Sequence, residues 1–235
     1  MSMKNAHPSS ILVVGANGFT GRYILRALAG KESYQVTGVS LHPDILPASG
    51  DYRFVEMDMT CPETLTQVFE EVRPDCVINT AALSAPDYCE LHPGEADRLN
   101  VQAVAALAEN CNRYESRLIH LSTDFVFGGT SRQLYTEEDI PAPVNYYGCT
   151  KLESERVVAA LCPSYAIARI VVVYGNSFPG QHGNIVQLVA GRLQKGETVK
   201  VVSDQWRTPT FVEDVAWGVE RLMAHPANGI YHLCG

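Results

Sequence analysis

Apolar residues come in two spacings along this chain, and the two alternate. The runs ILVV (11–14), VTGV (36–39), FVE (54–56), CVIN (76–79), LIHL (118–121) and AIARIVVV (166–173) are short and rich in β-branched residues. They read as strands, and the longer ones are apolar at nearly every position, as expected where helices cover both faces of a sheet. Between them lie stretches of helical period. VQAVAALAENCNRY (101–114) carries apolar positions three and four apart. TCPE (60–63) fits a capping box with a proline in the first turn. Strand–helix alternation with right-handed crossovers predicts an α/β fold, a Rossmann-type doubly wound parallel sheet. The alternation weakens after Gly175, where SFPGQHGN (177–184) reads as a loop. The expected organisation is a main domain over 1–174 and a small C-terminal annex over 175–235, interleaved with the main sheet. The chain stops at GIYHLCG, directly after an apparent strand, so the annex reads as incomplete.

The first strand leads into GANGFTG, with glycines at 15, 18 and 21. Gly15 suits the tight turn out of the strand. Gly18 lets backbone approach a pyrophosphate, and Gly21 lets the helix pack close to the sheet. Asn17 and Phe19 lie in the same turn. The helix start then offers free N–H groups and a positive dipole end to an anion. A nucleotide cofactor is the expectation, making 1–174 an NAD(P)-binding domain. NAD-binding sheets of this kind usually carry an acid at the end of the second strand, on the ribose hydroxyls. Here Ser40 stands there, with His42 nearby and no acid. That favours NADP(H) and leaves NAD(H) open.

Composition narrows the partners. Of 235 residues, 46% are hydrophobic and 19% charged, an ordinary globular balance. The net charge of −8, with no basic run, argues against nucleic-acid and membrane partners. No apolar run is long enough to span a bilayer. Seven cysteines without a C-x-x-C pair suggest reduced thiols, a cytoplasmic setting and no metal site.

The catalytic question turns on PVNYYGCTKLESE (143–155). Tyr147 and Lys151 are four apart and share a helix face, whereas Tyr146 pairs by spacing with Thr150. A phenol titrates near ~10, and a nearby ammonium lowers that value. So poised, Tyr147 can give a proton to a carbonyl oxygen as hydride reaches the carbon. HLSTDFVFGG (120–129) supplies the partner: Thr123, at a strand end, can donate to the same oxygen, and Asp124 adds an acid beside it. His120 reads as a packed core histidine.

The G-x-x-G-x-x-G spacing, Thr123 and the Tyr147–Lys151 pair occur in the order of the extended short-chain dehydrogenase/reductase family. STDFVFGG, EEDIPAPVNYYGCTKLESE, VVVYG, SDQWRTPTFVEDVA and GIYHLCG further resemble its dTDP-4-dehydrorhamnose reductases, from Ile11 to Gly235. The resemblance implies Thr123, Tyr147 and Lys151 as a catalytic triad, with Tyr147 and Lys151 also in the cofactor site, Lys151 on the nicotinamide ribose, and Thr123 also on the substrate. It implies Ser40, Asp58, Met59, Ala81 and Ala82 in the cofactor site, with Asp58 facing the adenine. It implies Ser84, Asp87, Asp124, Phe125 and Arg207 around a nucleotide-sugar substrate, with Arg207 facing the diphosphate and Glu90 near the site. Helix pairing as a homodimer follows by the same analogy. Two features depart from the pattern: Phe125 stands where that family has tyrosine, and the family's chain runs on past YHL. Sugar 4,6-dehydratases resemble this pattern with a second acid where Phe125 stands, which disfavours dehydration and leaves another nucleotide-sugar epimerase or dehydrogenase as an alternative. The segment EEDIPAPVNYYGCTKLESE also resembles the regulatory β subunit of methionine adenosyltransferase, a binding role on the same motifs.

Overall fold

The computed structural model describes residues 9–45, 51–179, 181 and 183–235. Residues 180 and 182 of the expected loop, and 1–8 of the expected main domain, lie outside the described residues. In chain order the strands are β1 (Ser9–Val14), β2 (Tyr34–Ser40), β3 (Arg53–Glu56), β4 (Cys76–Asn79), β5 (Arg117–Thr123), β6 (Tyr165–Ile170), β7 (Val173–Tyr174), β8 (Thr210–Phe211) and β9 (Gly229–Leu233). The helices are α1 (Phe19–Leu28), α2 (Pro62–Val72), α3 (Pro86–Leu91), α4 (Pro93–Asp97), α5 (Ala103–Arg113), α6 (Tyr146–Leu161), α7 (Ile185–Gln194) and α8 (Val212–Ala224). Seven strands form one sheet in the order β3-β2-β1-β4-β5-β6-β9, and β7 and β8 pair apart. Every pairing in the large sheet is parallel.

The near-continuous apolar runs have a direct cause. Side chains alternate across a strand, and both faces are covered. Leu12 and Val14 of β1 enter one core with Val77, Leu107 and Leu118. Ile11 and Val13 enter the other with Ile24, Ile78, Ile119 and Val219. Helices α2, α5 and α6 cover the first face, α1 and α8 the second. The last strand, β9, lies in register with β6, Ala166 opposite Gly229. The chain therefore returns to the main sheet after passing through β7, α7 and β8. Strand order reverses at β1, which has β2 on one side and β4 on the other. In open sheets of this kind ligands bind at that switch point, beyond the carboxyl ends of the strands.

Three local expectations need correction. The apolar run at 166–173 is not one strand. Val172 has φ +38°, a left-handed conformation costly for a β-branched residue. It ends β6 at Ile170 and sends Val173 into the small sheet with β8. The capping box at 60–63 does not form, because α2 starts at Pro62 and its N-cap is Cys61, whose side chain makes no capping bond. Thr60 instead donates both its N–H and its hydroxyl to Asp58 Oδ1, at 2.8 and 2.7 Å. The helix expected over 101–114 is an α-helix only from Ala103. Before it, Arg98–Gln102 form a π-helical turn, a feature frequent at functional sites. That turn buries Asn100, whose oxygen accepts from Leu83 N–H at 2.8 Å and whose nitrogen donates to Leu83 O and Thr150 Oγ1 at 3.1 and 3.0 Å.

Candidate active site

The glycine turn leaves β1 at the switch point. Gly15 has φ +82°, and a Cβ there would lie 2.7 Å from Ala81 N and Thr80 Oγ1. Only glycine permits this approach between the ends of β1 and β4. A Cβ on Gly21 would collide with Gly15 O. α1 is N-capped by Gly18, with no side-chain cap and no acid in its first turn. Its positive end is thus open to an anion, and the turn fits a pyrophosphate.

Beyond β2, Asn17 Nδ2 donates to the carbonyls of His42 and Pro43, at 3.0 and 2.8 Å. Beneath lies a residue that motif reading passed over. Arg22 is fully buried and donates to Asn17 Oδ1 at 2.5 Å, Asp44 Oδ1 at 2.7 Å and the Tyr52 hydroxyl at 3.2 Å. So an acid does follow Ser40, four positions on, and an arginine from α1 holds it. Arg22 sits one residue past Gly21; its only sequence signal is a cation on the sheet-facing side of a helix. Of the remaining cofactor candidates, Ser40 and Ala82 are half-buried and Asp58 is exposed. The Met59 side chain lies in the core, 5% exposed.

The catalytic candidates meet at the end of β5. Thr123 closes the strand and its Oγ1 accepts from Phe125 N–H at 3.2 Å. Asp124–Val126 form a 3-10 turn against the start of α6. Asn145 caps α6, accepting from Gly148 N–H at 2.8 Å. A Cβ on Gly148 would strike Phe125 O, so this glycine lets helix and turn touch. The contact places the Phe125 ring edge-on to Tyr147, centroids 5.6 Å apart. Tyr147, Thr123 and Lys151 are buried at 8%, 6% and 2% exposure.

The electrostatics differ from the sequence expectation. Burial pushes the Tyr147 phenol up to about 12, with the Thr123 hydroxyl pulling the other way and Asp124 adding to the rise. Lys151 does not offset this, because its ammonium is aimed elsewhere: it donates to Leu121 O at 2.7 Å and stands 3.2 Å from His120 Nε2. Burial brings Lys151 down to about 8, with Glu155 opposing. Tyr147 is therefore a protonated phenol at neutral pH. His120 is core, as expected, and is also a direct neighbour of Lys151.

Tyr146 faces away. Its hydroxyl donates to Asp97 Oδ2 at 2.9 Å, and its N–H to Glu90 Oε1 at 2.6 Å. Glu90 thus helps cap α6. Tyr146→Phe loses one hydrogen bond, worth about 1 kcal/mol of stability, and steady-state kinetics should show a far smaller loss than removal of the Tyr147 hydroxyl. Equal losses would mean that both phenols serve the reaction.

Two substrate candidates hold each other. Arg207 Nε and Nη2 lie 2.5 and 2.6 Å from the two carboxylate oxygens of Asp124, with the guanidinium 4.7 Å above the Phe125 ring. Ser84 and Asp87 are exposed, Asp87 in the first turn of α3. Among the described residues no cluster of His, Cys, Asp and Glu could hold a metal, and no helix is long and apolar enough to cross a membrane.

The chain is 35% identical over 224 residues to the probable low-salt glycan biosynthesis reductase Agl14 of Haloferax volcanii, across 94% of this chain and 73% of that one. It is 33% identical over 232 residues to dTDP-4-dehydrorhamnose reductase of Burkholderia thailandensis, across 95% and 72%. Its fold matches the crystal structure of dTDP-4-dehydrorhamnose reductase from Bacillus anthracis in complex with NADP, with TM-score 0.87 and 28% identity over 99% of this chain and 76% of that one. The family model described as the RmlD substrate binding domain matches residues 9–235, and the chain belongs to that family.

Proposed function

We propose that the protein reduces the 4-keto group of a dTDP-4-keto-6-deoxy sugar, the reductive step of dTDP-L-rhamnose synthesis, using NADP(H), with Tyr147 as proton donor. The observation that carries this reading is the convergence of Thr123, Tyr147 and Lys151 at the carboxyl end of β5 in a chain with an open glycine turn at the switch point. Relatives named as reductases of such sugars, and an NADP-bound neighbour, support it. In this reading residues 1–174 carry the cofactor site, and 175–235 bring Arg207 to the sugar nucleotide.

When bound, NADPH supplies a hydride to the carbonyl carbon. The chain does the rest. The turn from Gly15 to Gly21 receives the pyrophosphate on backbone N–H groups. Thr123 donates a hydrogen bond to the substrate oxygen. Tyr147, protonated at rest, gives its proton to that oxygen as negative charge develops there. Lys151, an ammonium below about pH 8, would hold the nicotinamide ribose, and solvent returns the proton to the phenolate left behind. Phe125 sits where a dehydratase would need a second acid, and its ring serves as a platform for Arg207. A substrate diphosphate would take Arg207 from Asp124, exchanging one anion for another without exposing a bare cation.

The test is turnover. With dTDP-4-keto-6-deoxy-L-mannose freshly made by the upstream enzymes, the absorbance of reduced nicotinamide should fall only when the sugar is present. NADPH is expected to bind at least as tightly as NADH, since no acid stands at the Ser40 position itself and Asp44 is held by Arg22. A clear preference for NADH in a fluorescence titration would overturn the cofactor assignment. Intact cofactor binding without sugar-dependent turnover would favour a non-catalytic binding role.

A further inference from the structure

We infer that Asn79 and His120 form a fixed proton arrangement that opposes the ammonium form of Lys151, and so set the upper pH limit of the reaction. The effect on rate rests on the proposed role of Lys151; the proton arrangement itself does not.

The hydrogen bonds fix the proton by elimination. Ala81 N–H donates to Asn79 Oδ1 at 3.1 Å. That contact identifies the amide oxygen, so the other amide atom, 3.1 Å from His120 Nδ1, is the NH₂ donor. Nδ1 must accept and therefore carries no proton. His120 is fully buried; burial, reinforced by the Lys151 charge, holds its pKa well below 6.5 and keeps it neutral. A neutral imidazole has one N–H, which here must be on Nε2. Ser154 Oγ, 3.0 Å away, accepts it and passes its own hydrogen to Lys151 O at 2.7 Å.

Lys151 Nζ stands 3.2 Å from that same Nε2. An ammonium has only donors. It therefore meets an N–H with an N–H, and its charge faces the positive end of the ring dipole. A neutral amine has a lone pair and can accept. Leu121 O, at 2.7 Å, suits either form. The opposing pull comes from Glu155, one turn along α6, but Arg169 of β6 already holds both its oxygens and Ser122 of β5 bonds one of them. β4 contributes only the neutral Asn79. Asp124 bears on Tyr147. The direction found for Lys151, down to about 8 with burial as its first cause, agrees with this geometry. His120 acts through Lys151 and is a positioning residue.

The experiment uses the whole protein labelled with 15N in histidine and 13C in lysine. In the wild type, the His120 ring should show a bare Nδ1 and a protonated Nε2, and the Lys151 Cε signal should titrate near 8. In Asn79→Asp the carboxylate can only accept, so the ring proton should move to Nδ1 and free Nε2 to accept from Lys151. The Lys151 midpoint should then rise by at least about one unit, a tenfold gain in proton affinity. The high-pH fall of kcat should move up with it, which a loss of packing would not produce. A protonated Nδ1 in the wild type overturns the inference. So does a wild-type Lys151 midpoint near the ordinary ~10.4, or a ring-proton switch in Asn79→Asp that leaves the midpoint in place. The wild-type spectra test the proton arrangement even if the variant fails to fold. They do so whichever substrate the enzyme takes.

Discussion

Tyr147→Phe is expected to lower kcat by about 10²–10⁴-fold, the range for loss of a positioned general acid, with NADPH affinity unchanged. The change removes one oxygen and leaves the ring. The edge contact with Phe125 is made by carbon atoms and survives, as does burial of the ring beside Cys89 and Ala96. Fold and cofactor site are therefore preserved, and the rate reports the phenol itself. Steady-state kinetics with the keto sugar, beside a titration of nucleotide fluorescence, separates the two quantities. A loss below about tenfold would mean that the proton comes from elsewhere. The phenol is held at about 12 in the free protein, so the wild-type rate should show no limb from Tyr147 between pH 6 and 9. In the proposed mechanism a fall at the upper end of that window follows Lys151, which loses its proton as pH passes about 8.

The sheet was legible because burial of both strand faces writes itself as unbroken apolar runs; β4 falls on residues 76–79 as read. The glycine turn and the tyrosine–lysine helix were legible because each is a local motif with a fixed offset. The errors arose where a backbone conformation or a distant partner decides. Nothing in VVV announces that the middle valine turns left-handed. Thr60 looked like a cap, but Asp58, two residues back, claims it. The spacing of Tyr147 and Lys151 showed a shared helix face, not that Lys151 would reach the Leu121 carbonyl instead of the phenol. Arg22, Asn100 and the His120 network join residues 17 to 50 positions apart, and such contacts leave no period to read. Each places a polar group in a run that otherwise reads as core.

Glu155→Gln is expected to cost about 3–5 kcal/mol of stability, the penalty for stranding one partner of a buried ion pair. Glu155 and Arg169 have side chains 4% and 2% exposed. Their two bonds, Nε to Oε1 at 2.9 Å and Nη2 to Oε2 at 2.7 Å, form a fork that engages both carboxylate oxygens, while Arg169 Nη1 has no hydrogen-bond partner. Glutamine keeps the shape but offers one acceptor and turns an NH₂ toward the guanidinium. Arginine cannot shed its proton to escape. The Phe127 ring, 5.0 Å from the guanidinium carbon, gives only partial relief. Urea unfolding should show a lower midpoint with an unchanged slope. The double change Glu155→Gln with Arg169→Met removes the stranded charge and should recover most of the loss, because apolar replacement of a whole buried pair is often neutral or better. If the double variant were no more stable than the single one, the loss would reside in the Ser122–Glu155 bond of 2.5 Å rather than in the charge. Either way the damage falls next to catalysis: Ser122 and Arg169 are opposite in the β5–β6 register, and Thr123 is the next residue along. The buried pair fastens the strand end that carries Thr123, the proposed hydrogen-bond donor to the substrate. Activity should therefore fall at lower urea concentrations than global unfolding in the single variant, and together with unfolding in the wild type.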